Sequence, residues 1–377
     1  MLDAEGRALR AELIGLFTRP IDEPLTDDKF TELARRVFAY QFARNEPYAA
    51  YCRRRGVTPD AVEHWTQIPA VPTAAFKELP LVSGKPGEAE AVFRTSGTTR
   101  GKERRGEHYI LDLSLYHGSL LPNFAAYLLP DGAELPMLSL VPSVREMVDS
   151  SLAHMIDVVM DRLGAEGSRS YATVAIGIDY DALDAALERY ASEGTPVMLL
   201  GTSFSFVHWT DHLRERGRRF DLPPGSRLMD TGGFKGRSRE VPEAELRATY
   251  HELLGIPEDH VVNEYGMTEM CSQFYDSVLR EKVVRGAAGP RRKIPPPWVR
   301  TIPVDPETLE PVAPGEVGVL RHHDLANLGS VAAIQTEDLG RLEGDGFVVL
   351  GRATGAPPRG CSIAMDLLVE AARARGR

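Results

Sequence analysis

The sequence predicts an α/β fold with mainly parallel sheets flanked by helices, followed by a small β subdomain. Apolar runs of strand length alternate with amphipathic segments over about 200 residues, which is typical of βα units and a parallel sheet. The last third instead contains short apolar segments separated by Gly turns. The chain has 377 residues, more than a usual single domain, so we expect one large domain with subdomains or two domains.

The elements follow in order from the spacing of apolar residues. Residues 1–65 are predicted to be helical, because their apolar residues recur three and four positions apart. The alternating region comes next, and the β subdomain is expected at about 290–355, after a Pro-rich stretch. Strands are predicted at 90–96, 135–143, 171–180, 195–203, 226–231 and 259–262, and helices at 109–129, 150–163, 179–194, 206–217 and 243–255.

Bulk composition argues against several classes of protein. The formal net charge is −10 without a long basic run, which argues against a nucleic-acid or anionic-membrane partner. No segment approaches the roughly 18 apolar residues of a membrane span, and early acidic residues do not suit a signal peptide, so we expect a cytoplasmic protein. The cysteines Cys52, Cys271 and Cys361 are too widely spaced for a disulfide framework or a CxxC metal site.

The segment TSGTTRGK, residues 95–102, follows a predicted strand and suits a polyphosphate. Glycines let the backbone approach an anion, hydroxyls donate hydrogen bonds, and Lys102 adds a positive charge. The pattern is not a Walker loop, and the alternative interpretation is a solvated Ser/Thr/Gly turn. The candidate phosphate-binding residues are Thr95, Ser96, Gly97, Thr98, Thr99, Gly101 and Lys102.

The segment NEYGMTE, residues 263–269, follows a short predicted strand. Thr268 is suited to donate to a phosphate, and Glu269 to hold Mg²⁺, which needs only one or two carboxylates beside phosphate oxygens. Tyr265 is suited to stack on a base. The alternative interpretation is a capped turn. The other candidates from this segment are Glu264, Gly266 and Met267.

A third segment contains Asp338, with Arg352 in a following Gly-Arg pair. A carboxylate at this position is suited to accept hydrogen bonds from both ribose hydroxyls. By itself the segment also fits ordinary turn chemistry before a Gly-rich hairpin.

Taken together, these segments resemble the adenylate-forming superfamily of acyl-CoA synthetases, luciferases and peptide-synthetase adenylation domains, over roughly residues 70–355. TSGTTRGK resembles its phosphate loop, NEYGMTE its Tyr-Gly-x-Thr-Glu segment, and TEDLGRL with the later Gly-Arg its ribose-binding segment. Gly232 and Gly233 resemble the turn that lies along the adenine. The resemblance implies ATP and Mg²⁺ as cofactors and a small-molecule carboxylic acid as substrate.

Within the superfamily, the sequence is most similar to acyl-protein synthetases, the fatty-acid-activating components of bacterial bioluminescence reductase complexes. Chain length, TGGFKGRSRE, YGMTEM followed by SQ, and PRGCS carry this resemblance. It implies that a fatty acid and ATP give acyl-AMP, that the acyl group moves to a Cys thiol, and that a partner acyl reductase takes it onward. Cys361 would be the acceptor, and a structural Cys is the alternative.

The resemblance assigns roles to single residues. Ser96, Thr98 and Thr99 would hold the β- and γ-phosphates, while Thr268 would contact the α-phosphate. Glu269 would be the metal ligand and Asp338 would fix the ribose.

One departure from the superfamily concerns its mobile C-terminal domain, which supplies a catalytic Lys. About 25 residues follow Arg352, and none is Lys. We therefore expect an adenylate-forming large domain at 1–355 and a short tail at 356–377. Transfer to CoA is then less expected, and Lys235 or Lys102 would supply the missing charge.

Two other functions stay open at this point. One is adenylation of a small or aromatic acid in secondary metabolism, with transfer to an amine or a carrier protein. The other is a nucleotide-binding subunit of a multi-enzyme complex without chemistry of its own. The phosphate, metal and ribose motifs serve ATP and carry no information about the acid, and the oligomeric state is not determined by the sequence.

Overall fold

The computed structural model describes residues 2–96, 104–232 and 241–352. The chain divides into two compact units, each built from separate stretches of sequence. Unit 1 comprises the described residues within Met1–Pro122, Met267–Gln273 and Lys293–Arg377. Unit 2 comprises those within Asn123–Gly266 and Phe274–Arg292. The predicted tail at 356–377 lies outside the described residues, and the predicted domain boundaries stay a prediction.

The secondary structure alternates as expected in the middle of the chain. The α-helices, in order, are α1 Ala4–Phe17, α2 Asp27–Arg44, α3 Glu46–Arg54, α4 Ala75–Glu78, α5 Leu113–Leu128, α6 Ser151–Leu163, α7 Tyr180–Glu193, α8 Ser203–Glu215, α9 Glu243–Leu254 and α10 Val278–Arg285. The strands are β1 Val71–Pro72, β2 Ala91–Arg94, β3 Glu107–Ile110, β4 Met137–Ser139, β5 Arg169–Ser170, β6 Ala172–Thr173, β7 Gly177–Ile178, β8 Met198–Thr202, β9 Arg227–Thr231, β10 Val261–Tyr265, β11 Phe274–Asp276, β12 Lys293–Ile294, β13 Val299–Val304, β14 Gly318–Asp324, β15 Ala333–Glu343 and β16 Gly346–Arg352. Short 3₁₀ turns lie at Pro59–Ala61, Trp65–Gln67, Pro86–Glu88 and Glu258–His260.

Helix α7 shows how the sequence fixes such an element. Asp179 precedes it, and its side chain accepts a hydrogen bond from the Ala182 N–H, which satisfies one of the free amides of the first turn. Leu183, Leu187 and Tyr190 recur four and three residues apart and are buried on one face. The helix ends at Glu193, and the Gly194 that caps it has a φ of 69°, a backbone conformation that glycine adopts at little cost.

Unit 2 contains a mainly parallel sheet with strand order β11-β10-β9-β8-β4-β5. The pairs β4–β5, β4–β8, β8–β9 and β9–β10 are parallel, and β11 is antiparallel to β10. Leu138, Leu199 and Leu228 lie on neighbouring strands and form one core with α7, α8 and α9 side chains such as Trp209. The predicted α/β fold class is confirmed.

Unit 1 contains an antiparallel sheet with strand order β13-β14-β15-β16-β12, and β1 pairs with β15 in parallel. Every residue of β14 is buried, although its second half is the polar sequence Arg321–Asp324. Burial of these polar groups requires hydrogen-bond partners, and this requirement shapes the candidate site in this unit.

The structure corrects several details of the sequence prediction. The helix expected from residue 109 begins at Leu113, because residues 107–110 pair with β2 as strand β3. The strand expected at 171–180 is only a hairpin of two-residue strands. Helix α8 begins at Ser203, since Thr202 caps it. Strand β11 and helix α10 were not predicted. Within the described ranges, no helix is long and apolar enough to cross a membrane.

Candidate active site

The predicted phosphate loop is described only at its first two residues. Strands β2 and β3 enter and leave the segment as an antiparallel pair. The Thr95 N–H donates to the Gly106 carbonyl at 3.0 Å, and the Gly106 N–H donates to Thr95 Oγ1 at 2.8 Å. Thr95 and Ser96 therefore begin the predicted phosphate loop directly after the paired strands β2 and β3. The other predicted residues that lie outside the described ranges are Gly97, Thr98, Thr99, Gly101, Lys102, Gly233, Lys235 and Cys361.

In unit 2, three neighbouring parallel strands end at the same edge of the sheet. The register aligns Thr202 of β8 with Thr231 of β9, and Thr231 with Glu264 of β10. The carboxyl ends of parallel strands are where open α/β sheets bind ligands. The predicted residues Gly232, Glu264, Tyr265 and Gly266 all lie at or just beyond this edge.

Glu264 is buried at this edge, with 5% of its surface exposed. The Thr231 hydroxyl on the neighbouring strand donates a hydrogen bond to its carboxylate. A Cβ atom at Gly266 would collide with Glu264 Oε1, so a larger residue at this position requires the Glu264 carboxylate to shift.

The turn after β9 is fixed by a side chain from α8, the helix that precedes β9 in the chain. Gly232 has a φ of +73°, which disfavours any residue with a Cβ. Its carbonyl accepts a hydrogen bond from Ser203 Oγ at 3.0 Å, at the start of α8. Nearby along β10, the Tyr265 ring lies 5.8 Å from the Phe274 ring. The Gly232 turn thus places main chain beside the strand ends, and Tyr265 places an aromatic ring there.

One buried cluster at this edge was not singled out from the sequence. Asn263 Nδ2 donates to Asp230 Oδ1 at 2.7 Å, and the Tyr250 hydroxyl donates to Asp230 Oδ2 at 3.2 Å. Burial, together with the neighbouring Asp230 carboxylate, raises the pKa of Tyr250 well above its usual value. An acid directly after the apolar pair Leu228 and Met229 of this strand was the available signal.

In unit 1, Thr268 and Glu269 occupy a turn closed by a hydrogen bond from the Met270 N–H to the Met267 carbonyl, at 3.2 Å. The Thr268 carbonyl accepts from His108 Nδ1 at 2.7 Å. Glu269 is 8% exposed, and its carbonyl accepts from Asn327 Nδ2 at 2.9 Å. The main chain on which both predicted catalytic residues lie is therefore held by buried side chains that the sequence did not indicate.

The next two residues are held by Asp324, at the end of β14. The N–H groups of Cys271 and Ser272 donate to Asp324 Oδ2 at 3.0 and 2.9 Å. The Ser272 hydroxyl donates to Asp324 Oδ1 at 2.8 Å. Burial raises the pKa of Asp324 to about 6, while these hydrogen bonds oppose the increase.

Asp338 and Arg352 face each other across the β15–β16 pair. Arg352 Nε donates to Asp338 Oδ1 at 3.3 Å. The Asp338 N–H donates to Thr336 Oγ1 at 3.1 Å, which fixes the backbone beside the carboxylate. The Arg352 side chain is 66% exposed and that of Asp338 is 16% exposed, so the carboxylate is sheltered and the guanidinium is at the surface.

The two cysteines within the described ranges are both buried. Burial raises the pKa of Cys52 to about 12, and burial together with the Asp324 charge raises that of Cys271 well above its usual value. Both thiols are thus held in the protonated form, which is a poor nucleophile. Neither of them has the environment of an acyl acceptor.

The comparisons with known proteins agree with the resemblance. The acyl-protein synthetase LuxE family model matches residues 170–369. The chain is 23% identical over 352 residues to a long-chain-fatty-acid–luciferin-component ligase of Aliivibrio fischeri, covering 90% of this chain and 88% of that protein. The enzyme of the same name from Vibrio harveyi is 23% identical over 349 residues, with 89% and 87% covered.

Solved structures share the fold. The open conformation of 2-hydroxyisobutyryl-CoA ligase, in complex with 2-HIB-AMP and CoA, has a TM-score of 0.61 and 14% identity, covering 90% of this chain and 68% of that one. The postadenylation state of that ligase has a TM-score of 0.63 and 14% identity, with 86% and 67% covered. The fold predicted from the resemblance to adenylate-forming enzymes is confirmed. The chain belongs to the acyl-protein synthetase LuxE family, whose members are acid–thiol ligases.

Proposed function

We propose that this protein activates a fatty acid with ATP, releases pyrophosphate, and transfers the acyl group from acyl-AMP to the thiol of Cys361. The family match over residues 170–369 carries the proposal. Two features of the described structure support it. Glu264, Tyr265 and the Gly232 turn lie at the strand edge where α/β sheets take ligands, and Thr268 and Glu269 share one firmly held turn.

The first half-reaction needs no general base, because a carboxylic acid is already ionised at pH 7. A carboxylate oxygen attacks the α-phosphorus, a new O–P bond forms, and the bond to the bridging oxygen of pyrophosphate breaks. The electron pair leaves with pyrophosphate. The protein must bring two anions together and offset negative charge on the phosphoryl group and the leaving group.

Single residues are proposed for these tasks. Thr95 and Ser96, with Gly97, Thr98, Thr99 and Gly101, hold the β- and γ-phosphates. Lys102 offsets their charge, with Lys235 as the second candidate cation. Thr268 donates to the α-phosphate and Asp338 accepts from the ribose hydroxyls. The residues proposed to bind or position the nucleotide are Gly232, Gly233, Glu264, Tyr265, Gly266 and Met267, and Arg352 supports Asp338.

Mg²⁺ fits the donor chemistry of the described residues. In 2–96, 104–232 and 241–352, no group of three or more His, Cys, Asp or Glu side chains is arranged to hold a metal. Mg²⁺ bound with a nucleotide needs only one or two protein carboxylates beside phosphate oxygens and water. We propose Glu269 as that carboxylate. When bound, the ion would neutralise phosphate charge.

In the second half-reaction, the Cys361 thiolate attacks the acyl carbonyl carbon. A C–S bond forms, the bond between that carbon and the phosphate oxygen breaks, and AMP leaves with the electron pair. The thioester retains an activated acyl group for a later acceptor. We propose an acyl reductase or a carrier protein as that partner.

Carboxylate-dependent exchange of labelled pyrophosphate into ATP tests the first half-reaction. The assay contains MgCl₂ and a panel of long-chain fatty, aromatic and small acids. Exchange with long-chain fatty acids alone supports the proposal. Exchange only with aromatic or small acids would contradict the fatty-acid assignment, and absence of exchange with every acid would contradict adenylation.

Labelling with a radioactive fatty acid tests the second half-reaction. Wild-type protein is expected to retain label that neutral hydroxylamine releases, as a thioester does. Cys361→Ser is expected to lose that label and keep pyrophosphate exchange, while Cys52→Ser serves as the matched control. Full thioester labelling of Cys361→Ser would rule out Cys361 as the acceptor.

A further inference from the structure

Four of the six consecutive residues Met267–Ser272 in unit 1 are tied to buried side chains elsewhere through their main chain. In Met267–Ser272, the Thr268 and Glu269 carbonyls accept hydrogen bonds, and the Cys271 and Ser272 N–H groups donate them. The partners are the side chains of His108, Asn327 and Asp324, which are 0–1% exposed. A buried polar side chain costs free energy unless it is fully hydrogen-bonded, so this arrangement is highly specific.

Asn327 links the parts of this arrangement. Its Nδ2 donates to the Glu269 carbonyl and to the Val331 carbonyl, each at 2.9 Å. These two acceptors fix the orientation of the amide, because the reverse orientation would place Oδ1 against both carbonyl oxygens. Oδ1 consequently faces His108 Nε2 at 2.9 Å.

Both ring nitrogens of His108 therefore face oxygen atoms that accept hydrogen bonds. Nδ1 donates to the Thr268 carbonyl at 2.7 Å, and Nε2 faces Asn327 Oδ1. The ring of Phe76 packs edge-on against the imidazole, with 5.7 Å between the two ring centroids. The imidazole spans the gap between the turn and Asn327 and has little freedom to move.

We propose that His108 and Asn327 are positioning residues for adenylation, and that they set the geometry of Thr268 and Glu269 for the phosphate and its Mg²⁺. The assignment rests on the proposed function, in which those two residues contact the nucleotide and the ion. His108 and Asn327 are both buried, and in this proposal they act through the turn. Each holds the carbonyl of one residue in the turn, and groups that orient metal ligands in this way typically contribute about 10- to 100-fold to metal affinity or activity.

The test compares three variants with the wild type by pyrophosphate exchange at varied MgCl₂ concentration. His108→Leu removes the hydrogen bond to the Thr268 carbonyl and the contact with Asn327 at similar size. His108→Asn is the rescue variant, because the asparagine amide lies where Nδ1 lies in histidine and keeps a donor for the Thr268 carbonyl. The control is His323→Leu, which removes a buried histidine of the same unit that packs on Trp65.

His108→Leu is expected to raise the MgCl₂ concentration for half-maximal exchange by about tenfold or more and to lower kcat, with a smaller change in KM for the acid. His108→Asn is expected to recover most of both quantities, and His323→Leu to leave both unchanged. Circular dichroism melts identify the folded variants. If His108→Leu does not fold, His108→Gln, whose amide lies where Nε2 lies in histidine and leaves the Thr268 carbonyl without its donor, replaces it under the same criteria.

The outcomes separate this assignment from the proposed function. Folded His108→Leu protein with wild-type kcat and wild-type MgCl₂ dependence would overturn the positioning role alone. An equal effect of His323→Leu would overturn it as well, because general loss of stability would then explain the result. Absence of exchange by the wild type with every acid would overturn the proposed function and the assignment together.

Discussion

Thr231 donates a hydrogen bond to the buried carboxylate of Glu264, across the parallel pair β9–β10. Thr231→Val keeps the shape of the side chain and removes the donor. We expect the free energy of unfolding to fall by about 1–3 kcal/mol, because a buried carboxylate loses a hydrogen bond. Urea unfolding measures the change. Thr210→Val is the control, since the buried Thr210 hydroxyl bonds only to main-chain carbonyls of its own helix. Equal losses in both variants would contradict this account.

Gly266→Ala places a methyl group where Glu264 Oε1 lies. The Glu264 carboxylate must then shift, which disturbs the bond that its Oε2 accepts from Thr231, so we expect a loss of about 1–3 kcal/mol in the free energy of unfolding. The cost should shrink in a Thr231→Val background, where that bond is already absent. Gly15→Ala, at a helical position with open space, is the control and should not destabilise. Additive losses in the double variant would show that the two residues are not coupled.

Asp338→Asn tests the proposed ribose contact. A hydrogen bond to a charged group contributes about 1.5–3 kcal/mol, so KM for ATP in the exchange assay should rise by about 10- to 100-fold. KM for the acid should change little. Glu343→Gln is the control on the same strand, because Glu343 pairs with Arg341. An unchanged KM for ATP in Asp338→Asn would remove Asp338 from the nucleotide site.

The pH dependence of unfolding should report the buried histidine His322. Burial lowers its pKa from 6.5 to about 3, so the unfolded chain binds a proton that the folded chain excludes. Its contribution to stability is present above pH 6.5 and is lost as the pH falls toward 3. The loss at pH 5 is about 2 kcal/mol, from 1.5 pH units at 1.36 kcal/mol each.

His322→Gln keeps a polar side chain beside Thr301 and removes the titration. We expect a shallower decrease in the free energy of unfolding between pH 7 and 5 in urea titrations. Asp324 contributes in the opposite direction, because burial raises its pKa to about 6, and it is present in both proteins. His208→Gln, at an exposed helical position, should leave the slope unchanged. A slope identical to the wild type in His322→Gln would contradict the assignment.

The sequence by itself determined the features that depend on neighbouring residues. Alternating apolar runs and helical spacing predicted the parallel sheet, and the motifs TSGTTRGK and NEYGMTE supported the family resemblance that the comparisons confirmed. Asp338 and Arg352 were recognised from a short motif, and the structure places them on paired strands. Such signals can be recognised in the sequence for two reasons. The apolar residues repeat with the period of a helix or a strand, and the motifs directly follow a strand.

Only the tertiary structure decided which side chains hold the motifs in place. His108 reaches Thr268 across 160 positions of the chain, and Asn327 reaches His108 across 219. No local pattern marks either residue, because a buried imidazole or amide is selected by acceptors that come from distant segments. Strand β3 was predicted to be the start of a helix. It likewise forms only because β2 pairs with it. The residue types of a local motif follow from the sequence, whereas hydrogen bonds between residues far apart in the chain form only when the chain folds.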